Sequence, residues 1–476
     1  MDNASVFFKR IMLGLLLALL VLTLLLVLPS GRSYLLAFLL GALLGGALLA
    51  CRKKRGAFPF PREPKRAGWL AFGLCLLINL PWVLLVRIEP FSDYETYWAC
   101  ACAVASGTPV PDAWYIAMYP HILGTASFLS VFVRLFGPSL LTVSVVNVLL
   151  TSLSCLLLYR LTDALADAET AWLAALLWSL APCKGMLNSL VFSEPLYTCL
   201  ILLFFWLFVR ADRDFRTGAG LPAALLRGAG MGLTLCLVNI VRPIAPILLL
   251  ALLLWLLFLR GKDLASLSLW QRWIAALLVL LLVYLGGGKL WDRRVERELG
   301  MAPAAVPVYN IYVGFNEETQ GQWSAEDMDL LFSYYSQGMS TSQAQSRMLP
   351  HLRERLASGI DFPRLFASKL IAFLGSDELG GYTYRFTRPE SFYRPLMVLC
   401  NIAYYAVLLL ALRGLGLLFA SRRLGAVLLP PLFALGLTLA HLLVEVSTRY
   451  HYSIIPVFIL CAALGLTGAS EKRSKP

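Results

Sequence analysis

The chain has 476 residues, 59% of them hydrophobic and 14% charged, with a formal net charge of +13. Soluble domains carry about 25% charged residues, so the composition excludes an ordinary soluble enzyme and predicts an all-α polytopic membrane protein. The basic residues cluster beside apolar runs, which points to membrane topology and anionic headgroups rather than to nucleic acid.

Apolar runs long enough to cross a bilayer fall near 11–29, 33–51, 67–86, 140–159, 171–188, 195–210, 226–242, 244–260, 270–290, 394–412, 424–444 and 453–469. They predict about 12 transmembrane helices. The first run follows Lys9-Arg10, lacks a small-residue cleavage site and leads at once into a second run, so it reads as a retained span. Short loops rich in Lys and Arg mark the cytoplasmic side. They are Arg52, Lys53, Lys54, Arg55, Arg62, Lys65 and Arg66; then Arg210, Arg213, Arg216 and Arg227; then Arg260, Lys262 and Arg272; then Arg413, Arg422 and Arg423. Lys472, Arg473 and Lys475 end the chain. Both termini are therefore expected in the cytoplasm.

One span separates the 52–66 loop from Asp93, which places Asp93 outside. An odd number of crossings must then lead to the inner loop at 210–227, although four helix-like apolar stretches intervene. Tyr119 to Phe136 is the most polar of them, with His121, Ser127, Ser130 and Arg134, and is expected to lie on the outer surface as a juxtamembrane helix. Residues 87–139 thus form one outer segment. The same count puts Ser193-Glu194-Pro195, Arg242-Pro243 and 445–452 at outer turns, and makes 291–393 a large extracytoplasmic loop region. Eight of the ten cysteines lie within apolar runs, while Cys100 and Cys102 are too close for an easy disulfide. No Cys/His spacing suggests zinc.

Polar groups at outer helix ends are the candidates for chemistry, since ionisable residues at membrane depth are costly. Arg87 to Trp98 holds three carboxylates, Glu89, Asp93 and Glu95, just beyond a span. Asp93 and Glu95 read either as solvated loop acids or as a general base or metal ligand. Glu194 precedes Pro195 and suits a helix N-terminus equally as cap or as site residue. Lys184 lies within an apolar run, where it would snorkel or bind an anion. Arg242 and Arg449 match phosphate oxygens in a fork, or serve as headgroup anchors. Tyr119, His121 and Tyr450 share the same side. A divalent metal is compatible with Asp93, Glu95 and His121, though no spacing demands one.

Taken together these segments resemble the C-type glycosyltransferases, polytopic enzymes that take sugar from a polyprenyl-phosphate carrier. Within them the chain is most similar to bacterial members of glycosyltransferase family 39, relatives of the protein O-mannosyltransferases and the lipid A aminoarabinose transferase. The resemblance rests on Ser92-Asp93-Tyr94-Glu95-Thr96-Tyr97, Ala105-Ser106-Gly107, Tyr119-Pro120 leading to Leu135-Phe136-Gly137, and Ser193-Glu194-Pro195. Arg242-Pro243, Gly314-Phe315-Asn316 with Gly321-Gln322-Trp323, and Glu445 with Arg449-Tyr450 complete it. It implies two additional helices and a basic loop at 1–66, a transmembrane core at 67–290, an outer subdomain at 291–393 and C-terminal helices at 394–476. It also implies that Asp93 is the catalytic base and that a lipid-phosphate sugar, an acceptor hydroxyl and membrane lipid are the partners. Competing readings are a flippase for a lipid-linked glycan and a polysaccharide polymerase or ligase.

Overall fold

The computed structural model describes residues 2–61, 63–260, 267–304 and 306–468. The predicted topological cations Arg62, Lys262, Lys472, Arg473 and Lys475 lie outside the described residues. In hydrocarbon each main-chain N–H and C=O must find its partner within the segment, so apolar runs become helices. Among the described residues there is no strand. The helices before the outer region are α1 (Asp2–Val27), α2 (Arg32–Arg55), α3 (Pro64–Leu85), α4 (Asp93–Ser106), α5 (Ala113–Met118), α6 (His121–Phe136), α7 (Leu140–Leu165), α8 (Ala168–Ser179), α9 (Pro182–Leu187), α10 (Glu194–Arg216), α11 (Leu221–Val241), α12 (Ala245–Leu254) and α13 (Leu267–Leu299). Then come α14 (Val308–Gly314), α15 (Ala325–Ser336), α16 (Thr341–Ala357), α17 (Phe362–Leu374), α18 (Leu379–Thr383), α19 (Glu390–Ala420), α20 (Leu429–Leu443) and α21 (Ile455–Thr467).

Among the described residues, ten helical segments are long and apolar enough to cross a membrane, which makes this an integral membrane protein, and two of the expected runs take a shorter form. The run at 171–188 is broken into α8 and α9. Pro182 supplies no N–H, and Ala181 before it is extended at φ −72°, ψ 102°. The run at 244–260 is a shorter apolar helix, Ala245–Leu259, whose last five residues loosen into a π-turn. Both segments nevertheless join the two ends of the bundle. Glu169 at the start of α8 pairs with Arg52 at 3.0 Å, while the chain after α9 delivers Glu194 beside Arg449. Likewise α12 starts next to Arg242 and ends where Trp255 Nε1 donates to Gly425 O at 2.8 Å.

Other spans run longer than their apolar cores. At 33 residues and 1.5 Å per residue, α13 is about 50 Å long against a hydrocarbon layer of about 30 Å. Its far end therefore rises into the outer region and carries Trp291 to the site. That region packs together with α5: Tyr309, Val313, Leu331, Ala344 and Met348 are buried in one cluster with Trp114 and Met118. Asp327 takes a bidentate pair from Arg355 at 2.8 and 3.0 Å and a third bond from Asn316 Nδ2 at 2.9 Å. The N-terminal α1 and α2 pack on α19, where Lys9 Nζ donates to Leu418 O at 3.1 Å.

Candidate active site

A cavity of 660 Å³ opens where the ends of α11, α13 and α20 meet the outer region. Its chemistry begins at Ser92, whose φ of 51° lies where a non-glycine residue is strained, at about 1–3 kcal/mol. That turn sets Asp93 at the first position of α4, where an acid favours the positive end of the helix. Arg449 comes from the helical turn Thr448–Ile454 that leads into α21, and its Nη2 donates to Asp93 Oδ2. Arg449 Nε stands 3.9 Å from Glu194 Oε1, so one guanidinium lies between two carboxylates. Burial would raise the Asp93 pKa, but the charge and hydrogen bond of Arg449, helped by Arg242 and His121, hold it below the usual carboxylate range.

Arg242 follows the last turn of α11 and lies over the Tyr450 ring, 4.4 Å from its centroid. No carboxylate lies within salt-bridge distance of it among the described residues, and it faces the cavity. His121 lines the same wall. Burial first, then Arg242, push its pKa to about 3, so it is a neutral imidazole. Glu445 sits opposite, accepting from Tyr450 Oη at 3.3 Å and Asn310 Nδ2 at 3.5 Å. Burial outweighs the nearby guanidiniums and pushes its pKa upward. Tyr97, Tyr115, Tyr119, Trp291 and Trp323 supply aromatic walls, and Ile244, Ile247 and Leu437 an apolar one.

Of the residues singled out in the sequence, Asp93, Tyr119, His121, Arg242, Arg449 and Tyr450 line this one cavity. Glu194 is buried behind it and reaches it through Arg449. Glu95 does not join them. It is exposed on α4, because two residues along a helix rotate a side chain by about 200°. Among the described residues no three of His, Cys, Asp and Glu gather closely enough to hold a metal, so the proposed set of Asp93, Glu95 and His121 does not assemble.

Lys184 is also elsewhere. It is buried, pairs with Asp377 Oδ1 at 2.8 Å and lies 4.5 Å from the centre of the Tyr452 ring. Asp377 further meets His451 Nε2 at 3.1 Å. Burial alone would raise the Asp377 pKa, yet Lys184 and His451 hold it well below the ordinary carboxylate value. The cation in the apolar run is thus neutralised by an acid from the outer region.

Sequence reasoning does not single out Asn310 or Tyr115, and it names Tyr97, Trp323 and Glu445 only within motifs of the resemblance and gives them no role in the site. Glu445 could have been found by its place at an outer turn on the same face as Asp93. Asn310 carried no such signal, since its approach depends on Glu445 N donating to Asn310 O at 2.8 Å, a long-range contact.

No protein-family model matches the chain, and no curated protein matches it. Several solved structures are similar in arrangement, among them the following two. One is the oligosaccharyltransferase AglB from Archaeoglobus fulgidus in complex with an inhibitory peptide and a dolichol-phosphate: 14% identity, TM-score 0.46, covering 84% of this chain and 50% of that one. The other is ArnT from Cupriavidus metallidurans bound to undecaprenyl phosphate: 13% identity, TM-score 0.39, covering 84% of this chain and 78% of that one. The chain spans about half the length of the archaeal protein. Both likenesses are too loose for a residue-by-residue correspondence.

Proposed function

We propose that this chain is an inverting C-type glycosyltransferase that moves a sugar from a polyprenyl-phosphate carrier to an acceptor hydroxyl, with Asp93 as general base. The observation that carries the reading is one cavity, at the ends of the spans, that presents a carboxylate and two guanidiniums beside an apolar wall. A lipid-phosphate donor needs all of these at once. Its tail stays in hydrocarbon along Ile244, Ile247 and Leu437, its phosphate meets Arg242 and Arg449, and its sugar packs on the aromatic walls.

In the displacement, the acceptor oxygen forms a bond to the anomeric carbon as the bond from that carbon to the phosphate oxygen breaks. The acceptor proton passes to Asp93 Oδ, a contribution of about 10²–10⁴-fold. The phosphate leaves with the bonding pair, and the two cations stabilise the charge that develops on it. Residues 291–393 form the roof through Asn310 and Trp323 and would shape acceptor choice. Lys184, spent on Asp377, has no part in holding the phosphate.

The test is purified protein reconstituted with a polyprenyl-phosphate sugar, with release of free polyprenyl phosphate measured. Asp93→Asn is expected to lower that release by about 100-fold or more, with expression and membrane insertion unchanged. Retained activity overturns the base assignment. Movement of the intact donor across the bilayer with no bond cleaved would instead favour a flippase.

A further inference from the structure

Arg449 has five N–H donors, and the two carboxylates beside it use few of them. One Nη donates to Asp93, and Nε is buried with no hydrogen bond among the described residues. Glu194, 3.9 Å from Nε, lies beyond hydrogen-bond range. The Asp93 side chain is 38% exposed and Arg449 15%, so the pair lies on the cavity surface rather than sealed behind it. Arg242 and Arg449 both border Tyr450, 4.4 and 5.5 Å from its ring centre. A phosphate seated between these guanidiniums draws Arg449 toward Arg242.

Resting on the transferase reading, we infer that Arg449 is a shared cation for which the carrier's phosphate and Asp93 compete, so that phosphate binding releases the carboxylate that receives the acceptor's proton. A carboxylate held by a guanidinium is a poor proton acceptor, and one whose cation has been taken regains its affinity for a proton. Guanidinium matches phosphate oxygens in a bidentate fork, which the single bond to Asp93 does not use. Donor binding therefore activates the base, and without donor the acid stays paired. Arg449 is in this sense a positioning residue for Asp93 as well as a phosphate ligand.

The consequence runs against ordinary expectation for a catalytic substitution. With full-length purified protein and undecaprenyl phosphate as the probe, Asp93→Asn is expected to bind about tenfold tighter than wild type, because the competitor for Arg449 is gone. Asp93→Ala gives a second reading, and thermal melting of each variant verifies folding. In an Arg449→Gln background the same Asp93 substitution is expected to leave affinity unchanged, since there is no cation left to contest. Unchanged or weaker binding by both Asp93 variants overturns the inference. So does a gain in affinity that persists without Arg449. If wild type binds the probe and the cycle is flat, only this inference falls; if no variant binds it, wild type included, the transferase reading falls as well.

Discussion

Lys369, on α17, is fully buried and donates to two carbonyls, Gly314 O at 2.7 Å and Val444 O at 2.8 Å. It thereby clamps the outer region to the turn that carries Glu445. Burial lowers its pKa from 10.5 to about 7, only partly offset by Glu445. A neutral amine keeps two N–H donors, enough for both carbonyls. The folded pKa lies below the unfolded one, so between about 7 and 10.5 the unfolded chain binds more protons and stability rises with pH. Below about 7 the cost of burying the charge is present in full. Melting temperature is expected to climb from about pH 6 to about pH 9, and Lys369→Met is expected to flatten that part of the profile. A slope equal in both proteins rules Lys369 out as its source. Such residues show where reading the sequence stops. Lys184 could be recognised as a costly cation in an apolar run, but Asp377 lies 193 positions away and nothing local announces it. Asp93 could be recognised because its neighbourhood is acidic and aromatic at a span boundary. Its cation, 356 positions away, could be named as a phosphate candidate but not as the partner of that acid.

Helix α11 carries Gly228 and Gly232 one turn apart, facing α13. A Cβ on Gly228 would come within 2.3 Å of Ala276 O, and one on Gly232 within 2.6 Å of Leu280 O. Helices in lipid associate through such close backbone approach, since lipid tails give no hydrophobic drive for pairing. The contact matters for the site because α11 ends at Arg242 and α13 ends beyond Trp291, so one packed pair sets two walls of the cavity. Gly232→Leu is expected to cost about 1–3 kcal/mol by overpacking, lowering the melting temperature and weakening undecaprenyl phosphate binding together. Gly288→Ala is the control: nothing lies within 4 Å of its Cβ, and both properties should stay close to wild type. If Gly232→Leu melts like wild type, the close crossing is not what holds these helices. The small-residue spacing is visible in the sequence, whereas the receiving helix is not. Composition locates spans well for this reason, and it locates their neighbours poorly.

The whole molecule sorts its charges into two faces, and that sorting was the most legible property of the chain. The ends carrying Asp93, Glu194, Arg242 and Arg449 converge, as counting crossings by loop charge predicts. On the opposite face Arg52 pairs with Glu169, Arg227 with Asp214 at 2.7 Å, and Arg216 donates to the main chain at Arg260. Two of the expected crossings, α8–α9 and Ala245–Leu259, differ in form, where a proline break and a π-turn shorten the helix without changing which faces it joins. Parity survives such breaks, because it depends on where chain ends lie and not on helix regularity. By the loop-charge rule, the face rich in Lys and Arg loops is expected to be the cytoplasmic one. In a background lacking the non-buried Cys51 and Cys102, cysteines placed at the exposed Glu318 and Lys54 separate the faces. Glu318→Cys is expected to react with a membrane-impermeant maleimide in intact cells, and Lys54→Cys only after permeabilisation. The reverse pattern would put the cavity in the cytoplasm, where a carrier-linked donor would have to present its sugar on the opposite leaflet.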